Sequence, residues 1–126
     1  MTKEQFIQAC AELEQRGYKR NFGKDQQPKG NGINDYWKVI EWREDKYGES
    51  RAVNQLLFKI WHFEEFRDRC PDNSLYSLEP IIAFSRNISE RIDLCLSYPE
   101  RSIDELEELA AKFGKWAEEN LQEINE

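Results

Sequence analysis

The sequence predicts an α+β fold: an antiparallel sheet of about five strands with N- and C-terminal helices on one face, in the order α-β-β-β-β-β-α. Two aromatic-rich runs, DYWKVIEW and AVNQLLFKIWHF, flank a Gly-containing connection, which is typical of a β-hairpin. Within the segment from Glu90 to Tyr98, large apolar residues alternate with polar or small ones from Arg91 onwards, as they do in a half-buried strand. Capping boxes at Thr2 and Ser102 each precede a helical pattern.

The first helix is predicted from Thr2 to about Arg16. Its apolar side chains recur at spacings of three and four, so that they form one stripe: Phe6, Ala9, Cys10 and Leu13. Gly17 follows the pattern and suits the left-handed conformation that ends many helices. We therefore expect a helix that docks through one face.

A short strand is expected from Tyr18 to Phe22, followed by a loop. The segment from Lys24 to Asn34 contains glycines and a proline, and its one apolar residue is Ile33. Because such a segment has almost nothing to pack, we predict a mobile loop at about residues 24–34.

The second hairpin strand, from Arg51 to Phe63, is apolar on both faces, which predicts the central strand of the sheet. One face is expected to meet the helices, and it carries Ala52, Leu56, Phe58 and Ile60. The other is expected to meet a thinner covering or a partner, and it carries Val53, Leu57, Trp61 and Phe63.

Two further strands are predicted from Leu78 to Ser85 and from Glu90 to Tyr98. The last helix begins after Ser102, and its apolar stripe is Leu106, Ala110, Phe113, Ala117, Leu121 and Ile124, widened by Leu109 and Trp116. A chain of 126 residues holds one such layout, so residues 1–126 are predicted to form a single domain.

The chain is acidic, with a formal net charge of −7, and the charge is uneven. Residues 1–63 hold 11 Lys and Arg against 9 Asp and Glu, and the remaining residues hold 7 against 16. An acidic total argues against broad binding to duplex DNA, since affinity for phosphates grows with the number of cations presented. No apolar run approaches a membrane span, and the N-terminus lacks the pattern of a secretory signal, so we expect a cytoplasmic protein without a membrane partner.

In element order, size and acidity the chain resembles the secretion-chaperone-like fold, whose members are small acidic proteins. The likeness covers most of the chain and is one of outline, because no motif residues carry it. The connection from Glu64 to Ser77 is shorter and more polar than the middle helix of that family.

No residue pattern predicts catalysis, a cofactor or a metal. His62 is the single histidine and has no partner of ligand type at a suitable spacing. The three cysteines form no CxxC pair, and we expect Cys10 and Cys95 to be small buried residues. We therefore predict no catalytic, cofactor-binding or metal-ligating residues.

The leading hypothesis is a non-enzymatic protein-binding module: an adaptor, an inhibitor, an immunity-type protein or a chaperone-like protein. It depends on a central strand with more apolar side chains than a one-sided sheet needs. The predicted protein-binding residues are Trp37, Trp42, Val53, Leu57, Lys59 and Trp61. A homodimer is the simplest case, since a two-fold contact needs one self-complementary patch.

The alternative hypothesis is binding of single-stranded nucleic acid through the basic, aromatic hairpin. Bases stack on aromatic side chains while cations follow the phosphates. The candidate residues are Lys19, Arg20, Tyr36, Lys38, Arg43 and Lys46. Interleaved acidic residues dilute this patch, which makes nucleic acid the less favoured partner.

Overall fold

The computed structural model of the protein describes residues 1–21, 35–62, 67–69, 75–87 and 90–125. Its elements, in chain order, are α1 (Lys3–Gln15), β1 (Lys19–Asn21), β2 (Asp35–Glu44), β3 (Ser50–His62), β4 (Tyr76–Asn87), β5 (Glu90–Cys95) and α2 (Ile103–Asn125). The strands form one sheet in the order β1-β2-β3-β4-β5. The prediction of a five-stranded antiparallel sheet with a helix at each end of the chain is confirmed, and β3 is its central strand. The loop predicted at residues 24–34 lies outside the described residues.

Local signals set the start and end of α1. The amide of Gln5 donates to Thr2 Oγ1 at 3.1 Å, and the amide of Thr2 donates to Gln5 Oε1 at 3.0 Å, which completes the capping box. After the helix, Gly17 adopts a φ of +87°, a conformation that L side chains rarely adopt. The helix buries Ala9 and Leu13, as its apolar stripe predicts.

The hairpin between β2 and β3 turns through a short polar connection. The carboxylate of Asp45 accepts hydrogen bonds from the amides of Tyr47 at 2.8 Å and Glu49 at 3.0 Å. Gly48 has a φ of +79°, which closes the turn. Because β2 and β3 are neighbours in the sheet, the predicted hairpin forms.

The described chain divides into two compact units, and β2, β3 and β4 contribute residues to both. The first unit comprises Met1–Lys38 and Phe58–Glu79, and the second comprises Val39–Leu57 and Pro80–Glu126. Helix α1 belongs to the first unit and α2 to the second.

In the first unit the core is rich in aromatic rings. Tyr18 meets Phe58 edge to face at 5.7 Å between ring centroids, and Phe6 meets Tyr76 at 5.3 Å. The buried apolar residues of this unit are Ala9, Leu13, Tyr18, Tyr36, Phe58, Ile60, Leu75, Tyr76 and Leu78.

In the second unit α2 packs on the sheet through small and aliphatic side chains. Ser102 Oγ accepts from the amide of Glu105 at 3.1 Å, so the second predicted cap also starts its helix. The buried helix residues are Ile103, Leu106, Ala110, Gly114 and Ala117. Trp116 lies at the margin and is 52% exposed, while the side chains of Leu121 and Ile124 lie outside the described part of α2.

Two burial predictions were wrong. Val53 was expected on the second face of β3, but it is buried in the second unit with Phe84 and Ala117, and Asn54 beside it is buried too. Two consecutive buried residues break the period of two on which the prediction depended. Cys95 was expected to be buried but is exposed, because β5 alternates strictly and turns Ile92 and Leu94 inward.

Candidate functional site

The strands of the first unit present a mixed aromatic and charged surface on the side away from their buried residues. Lys19 on β1 is the register partner of Trp37 on β2. Trp37 follows the buried Tyr36 directly, so its side chain lies on the opposite side of the strand. On β3, Lys59 and Trp61 alternate with the buried Phe58 and Ile60. We call this surface the tryptophan face, and its residues are Lys19, Asp35, Trp37, Lys59, Trp61 and Glu79.

Each tryptophan of this face has a lysine over its ring. Lys19 Nζ lies 5.5 Å from the ring centre of Trp37, and Lys59 Nζ lies 4.4 Å from that of Trp61. Both distances are within the range of a cation–π contact. Both tryptophans are half-buried, so part of each ring remains accessible.

The indole of Trp61 is held by a hydrogen bond as well. Its Nε1 donates to Glu79 Oε2 at 3.0 Å, across from β3 to β4. A charged acceptor strengthens such a bond and fixes the orientation of the ring. Trp61 is therefore positioned by Lys59 on its own strand and by Glu79 on the next.

Asp35 carries the most perturbed carboxyl group of the face. Burial raises its pKa to about 6, and the nearby charges of Arg20 and Lys59 lower it only partly. Its Oδ1 atom is buried and has no hydrogen-bond partner among the described residues. The group therefore changes its charge in the range where histidines usually do.

The predicted protein-binding residues are divided between the two units. The first unit brings together Trp37, Lys59 and Trp61. In the second unit Leu57 is half-buried, Val53 is in the core, and Trp42 is 59% exposed. Glu79 was not among the predicted binding residues, because only the pairing of β3 with β4 places it beside Trp61.

Of the predicted nucleic-acid-binding residues, Lys19 alone lies on the tryptophan face. Tyr36 is 1% exposed, donates its hydroxyl to Glu14 Oε1 at 2.8 Å, and accepts from Arg20 Nη1 at 3.2 Å. Burial and the hydrogen bond to Glu14 raise the pKa of Tyr36 above its ordinary range. A buried ring of this kind is not available for stacking on a base.

The remaining three basic candidates are also engaged within the protein. Lys38 Nζ lies 5.4 Å from the ring centre of Tyr18, and Lys46 Nζ lies 5.2 Å from that of Tyr47 in the hairpin turn. In the second unit Arg43 donates to Glu118 at 2.9 Å and to Glu41 at 2.9 Å. Burial acts to lower the pKa of Arg43, but the hydrogen bonds to these two carboxylates outweigh it and raise that pKa.

The described ranges contain neither a metal-binding cluster nor a membrane-spanning helix. No group of three His, Cys, Asp or Glu side chains within them is placed to hold a metal ion. No helix within them is long and apolar enough to cross a membrane. The side chain of His62 lies outside the described residues.

Comparisons with known families, curated proteins and solved structures found no match.

Proposed function

We propose that this chain is a non-enzymatic protein-binding module that associates with a second copy of itself through the tryptophan face. The observation that supports it is the repeated pairing of a half-buried tryptophan with a lysine, at Trp37 and Trp61. Tryptophan is enriched where binding energy concentrates, because its large rigid ring buries much area at a small entropic cost.

The charges of the tryptophan face favour a second copy as the partner. Two lysines, Lys19 and Lys59, accompany two carboxylates, Asp35 and Glu79, so the face is locally close to neutral on a chain of net charge −7. A two-fold axis through such a face can bring the lysines of one copy to the carboxylates of the other. The rest of each copy is acidic, but at physiological ionic strength salt largely screens the repulsion between charges that lie more than about 8 Å apart.

A nucleic-acid role has less support than protein binding. Its six candidate residues are divided between the two units, since Arg43 and Lys46 belong to the second, and Tyr36 is buried. We also propose a cytoplasmic location, because Cys10 and Cys95 are free thiols, as is usual in reducing compartments.

Analytical ultracentrifugation at micromolar concentration tests the proposal. Wild-type protein should sediment as a dimer, and Trp61→Glu should raise the dimer dissociation constant at least about 30-fold, since a central interface tryptophan contributes about 2 kcal/mol or more. Trp116→Glu is the matched control, because Trp116 is also accessible but lies on α2 in the second unit.

Two results would count against the proposal. A wild type that stays monomeric at about 100 μM would contradict self-association, because only weak, transient contacts have a Kd above that concentration. Tight, salt-dependent binding of an oligo(dT) strand that Trp61→Glu abolishes would favour the nucleic-acid alternative instead.

A further inference from the structure

The strand β5 lies beside β4 at the end of the sheet order, so its far side is a sheet edge. The amide of Leu96 donates to the carbonyl of Pro80 on β4 at 2.9 Å, which makes these two residues a hydrogen-bonded pair of the antiparallel ladder. Such pairs alternate with residues whose N–H and C=O groups point away from the partner strand. By this alternation the backbone groups of Arg91, Asp93 and Cys95 point outwards from the edge.

These outward groups form an open hydrogen-bonding edge. Among the residues that the structure describes, none bonds the backbone N–H or C=O groups of Arg91, Asp93 or Cys95, and all three residues are exposed. Arg91 Nε donates to Asp93 Oδ1 at 2.9 Å, so the two charged side chains bond each other and do not use the backbone edge. Donors and acceptors repeated at the spacing of an extended chain match an added β-strand.

The flank of α2 that lies towards β5 adds an apolar surface beside this edge. The opposite flank of the helix lies towards β2, because Arg43 on β2 donates to Glu118 at 2.9 Å. Phe113 packs against the same buried cluster as Ile92 of β5, and Trp116 stacks on Phe113 at 5.7 Å between ring centroids. Ile92 and Phe113 are half-buried and Trp116 is 52% exposed, so all three have apolar area left for a partner.

The charge of α2 favours a basic partner at this edge. From Ile103 to Asn120 the helix has a net charge of −4, the difference between two lysines and six carboxylates: Lys112, Lys115, Asp104, Glu105, Glu107, Glu108, Glu118 and Glu119. A second copy of the chain would bring an equally acidic helix to the edge and be repelled, whereas a basic segment would be attracted.

We propose that β5 binds an extended, basic peptide segment of another protein as an additional antiparallel strand. Peptide residues opposite Arg91, Asp93 and Cys95 exchange backbone hydrogen bonds with them, and their side chains point away from α2. The peptide residues between them are apolar and point towards Phe113 and Trp116. None of these residues of the chain belongs to the tryptophan face, so the proposal does not depend on the proposed dimer.

The test uses a peptide in which threonine and valine alternate, with lysines at both ends, and measures its binding to the full chain by fluorescence anisotropy. Valine side chains should face α2, so the threonine amides face β5. Methylating the threonine amide nitrogens should weaken binding at least about 30-fold, whereas methylating those of valine should weaken it less than about threefold. Methylated peptides that bind alike, a reversed preference, or an unmodified peptide that does not bind would overturn the proposal.

The charge of the partner is tested by exchanging the terminal lysines of the peptide for glutamates. The acidic peptide has the same backbone and the same valines, and it should bind at least about fivefold more weakly at low salt. Equal affinities for the two peptides would show that the partner is not selected for basic charge and would overturn that part of the proposal.

Variants of the chain place the site. Trp116→Ser should weaken binding of the lysine peptide at least about fivefold, whereas Trp42→Ser, at an exposed tryptophan of β2, should leave it unchanged. Asp93→Pro removes one outward N–H from an edge strand, where proline is tolerated, and should abolish binding. Trp61→Glu should bind the peptide as the wild type does, so failure of the proposed dimer and failure of this proposal are distinguishable.

Hydrogen exchange of the wild-type chain gives a readout that needs no variant to fold. The peptide should slow exchange at the amides of Arg91, Asp93 and Cys95, which face the added strand. Unchanged exchange at these amides, or equal effects of Trp116→Ser and Trp42→Ser, would overturn the proposal. Self-association of Trp61→Glu that a further Asp93→Pro substitution prevents would instead assign the edge to a second copy of the chain.

Discussion

Gly114 in α2 lies directly against the carboxamide of Asn54 in β3, so that no side chain fits between helix and strand at this point. A Cβ on Gly114 would come within 2.5 Å of Asn54 Nδ2. The same nitrogen is bonded to Ala110 one helical turn earlier. The identities of residues 54 and 114 are therefore coupled.

We expect Gly114→Ala to destabilise the protein by roughly 1 to 2 kcal/mol, although alanine favours a helix by about 1 kcal/mol. The methyl group must displace the Asn54 side chain and break its hydrogen bond. Urea unfolding measures the change. In an Asn54→Ala background the same substitution should stabilise by up to about 1 kcal/mol, and an unchanged sign there would show that the two residues are not coupled.

We expect two phenylalanines of the second unit to differ in how much free energy of unfolding is lost when each is replaced by alanine. Phe84 is completely buried, whereas Phe113 is half-buried and stacks on Trp116 at 5.7 Å. Phe84→Ala should cost about 3 to 5 kcal/mol in free energy of unfolding. Phe113→Ala should cost roughly half as much, because it leaves a void that solvent reaches. If both variants lose the same free energy of unfolding in denaturant melts, Phe113 contributes as much to the core as Phe84, and the prediction is wrong.

Asp35 predicts a pH dependence of stability. Its folded-state pKa of about 6 lies above the ordinary value of 3.8, so the folded protein holds this proton more tightly than the unfolded chain does. The stabilisation is complete below about pH 4 and is lost as the pH rises through 6. Carboxyl NMR should give a titration midpoint near 6, and a midpoint near 4 would contradict the burial of the group.

Replacing Asp35 tests whether its protonation is coupled to the free energy of unfolding. Asp35→Asn should raise stability at pH 7 by roughly 1 kcal/mol, less than the full shift implies because the carboxyl is only partly buried. It should also flatten the loss of stability between pH 4 and 6. Asp68→Asn, at an exposed position, serves as the control and should change neither property.

The hydroxyl of Tyr36 predicts a further stability difference. It bonds Glu14 on α1 and Arg20 on β1 while the ring is buried. Tyr36→Phe should cost about 1 to 3 kcal/mol, because charged groups lose a buried partner. Tyr47→Phe is the matched control: Tyr47 is 78% exposed, and its change should stay within about 0.5 kcal/mol. If both variants change the free energy of unfolding by similar amounts, the Tyr36 hydroxyl does not stabilise the fold through these hydrogen bonds.

The candidate surface was predictable in part. Lys59 and Trp61 stand two residues apart on a predicted strand, so their shared face follows from the period of two. The match of Lys19 with Trp37 needs the register of β1 against β2, and the bond from Trp61 to Glu79 needs the pairing of β3 with β4. The chain contains many lysines and glutamates, and the sequence does not show which of them will lie beside a given tryptophan.

The sequence by itself determined the elements whose causes are local. Thr2 and Ser102 cap helices through bonds that span three residues, Gly17 ends α1 through its own backbone conformation, and β5 alternates because side chains on a strand alternate. The tertiary structure alone decided that Val53 enters the core, that Asn54 is bonded beneath α2, and that Arg43 reaches Glu118 across 75 residues. Such contacts depend on how strands and a helix pack in space, and a side chain carries no local signal of the distant group that will meet it.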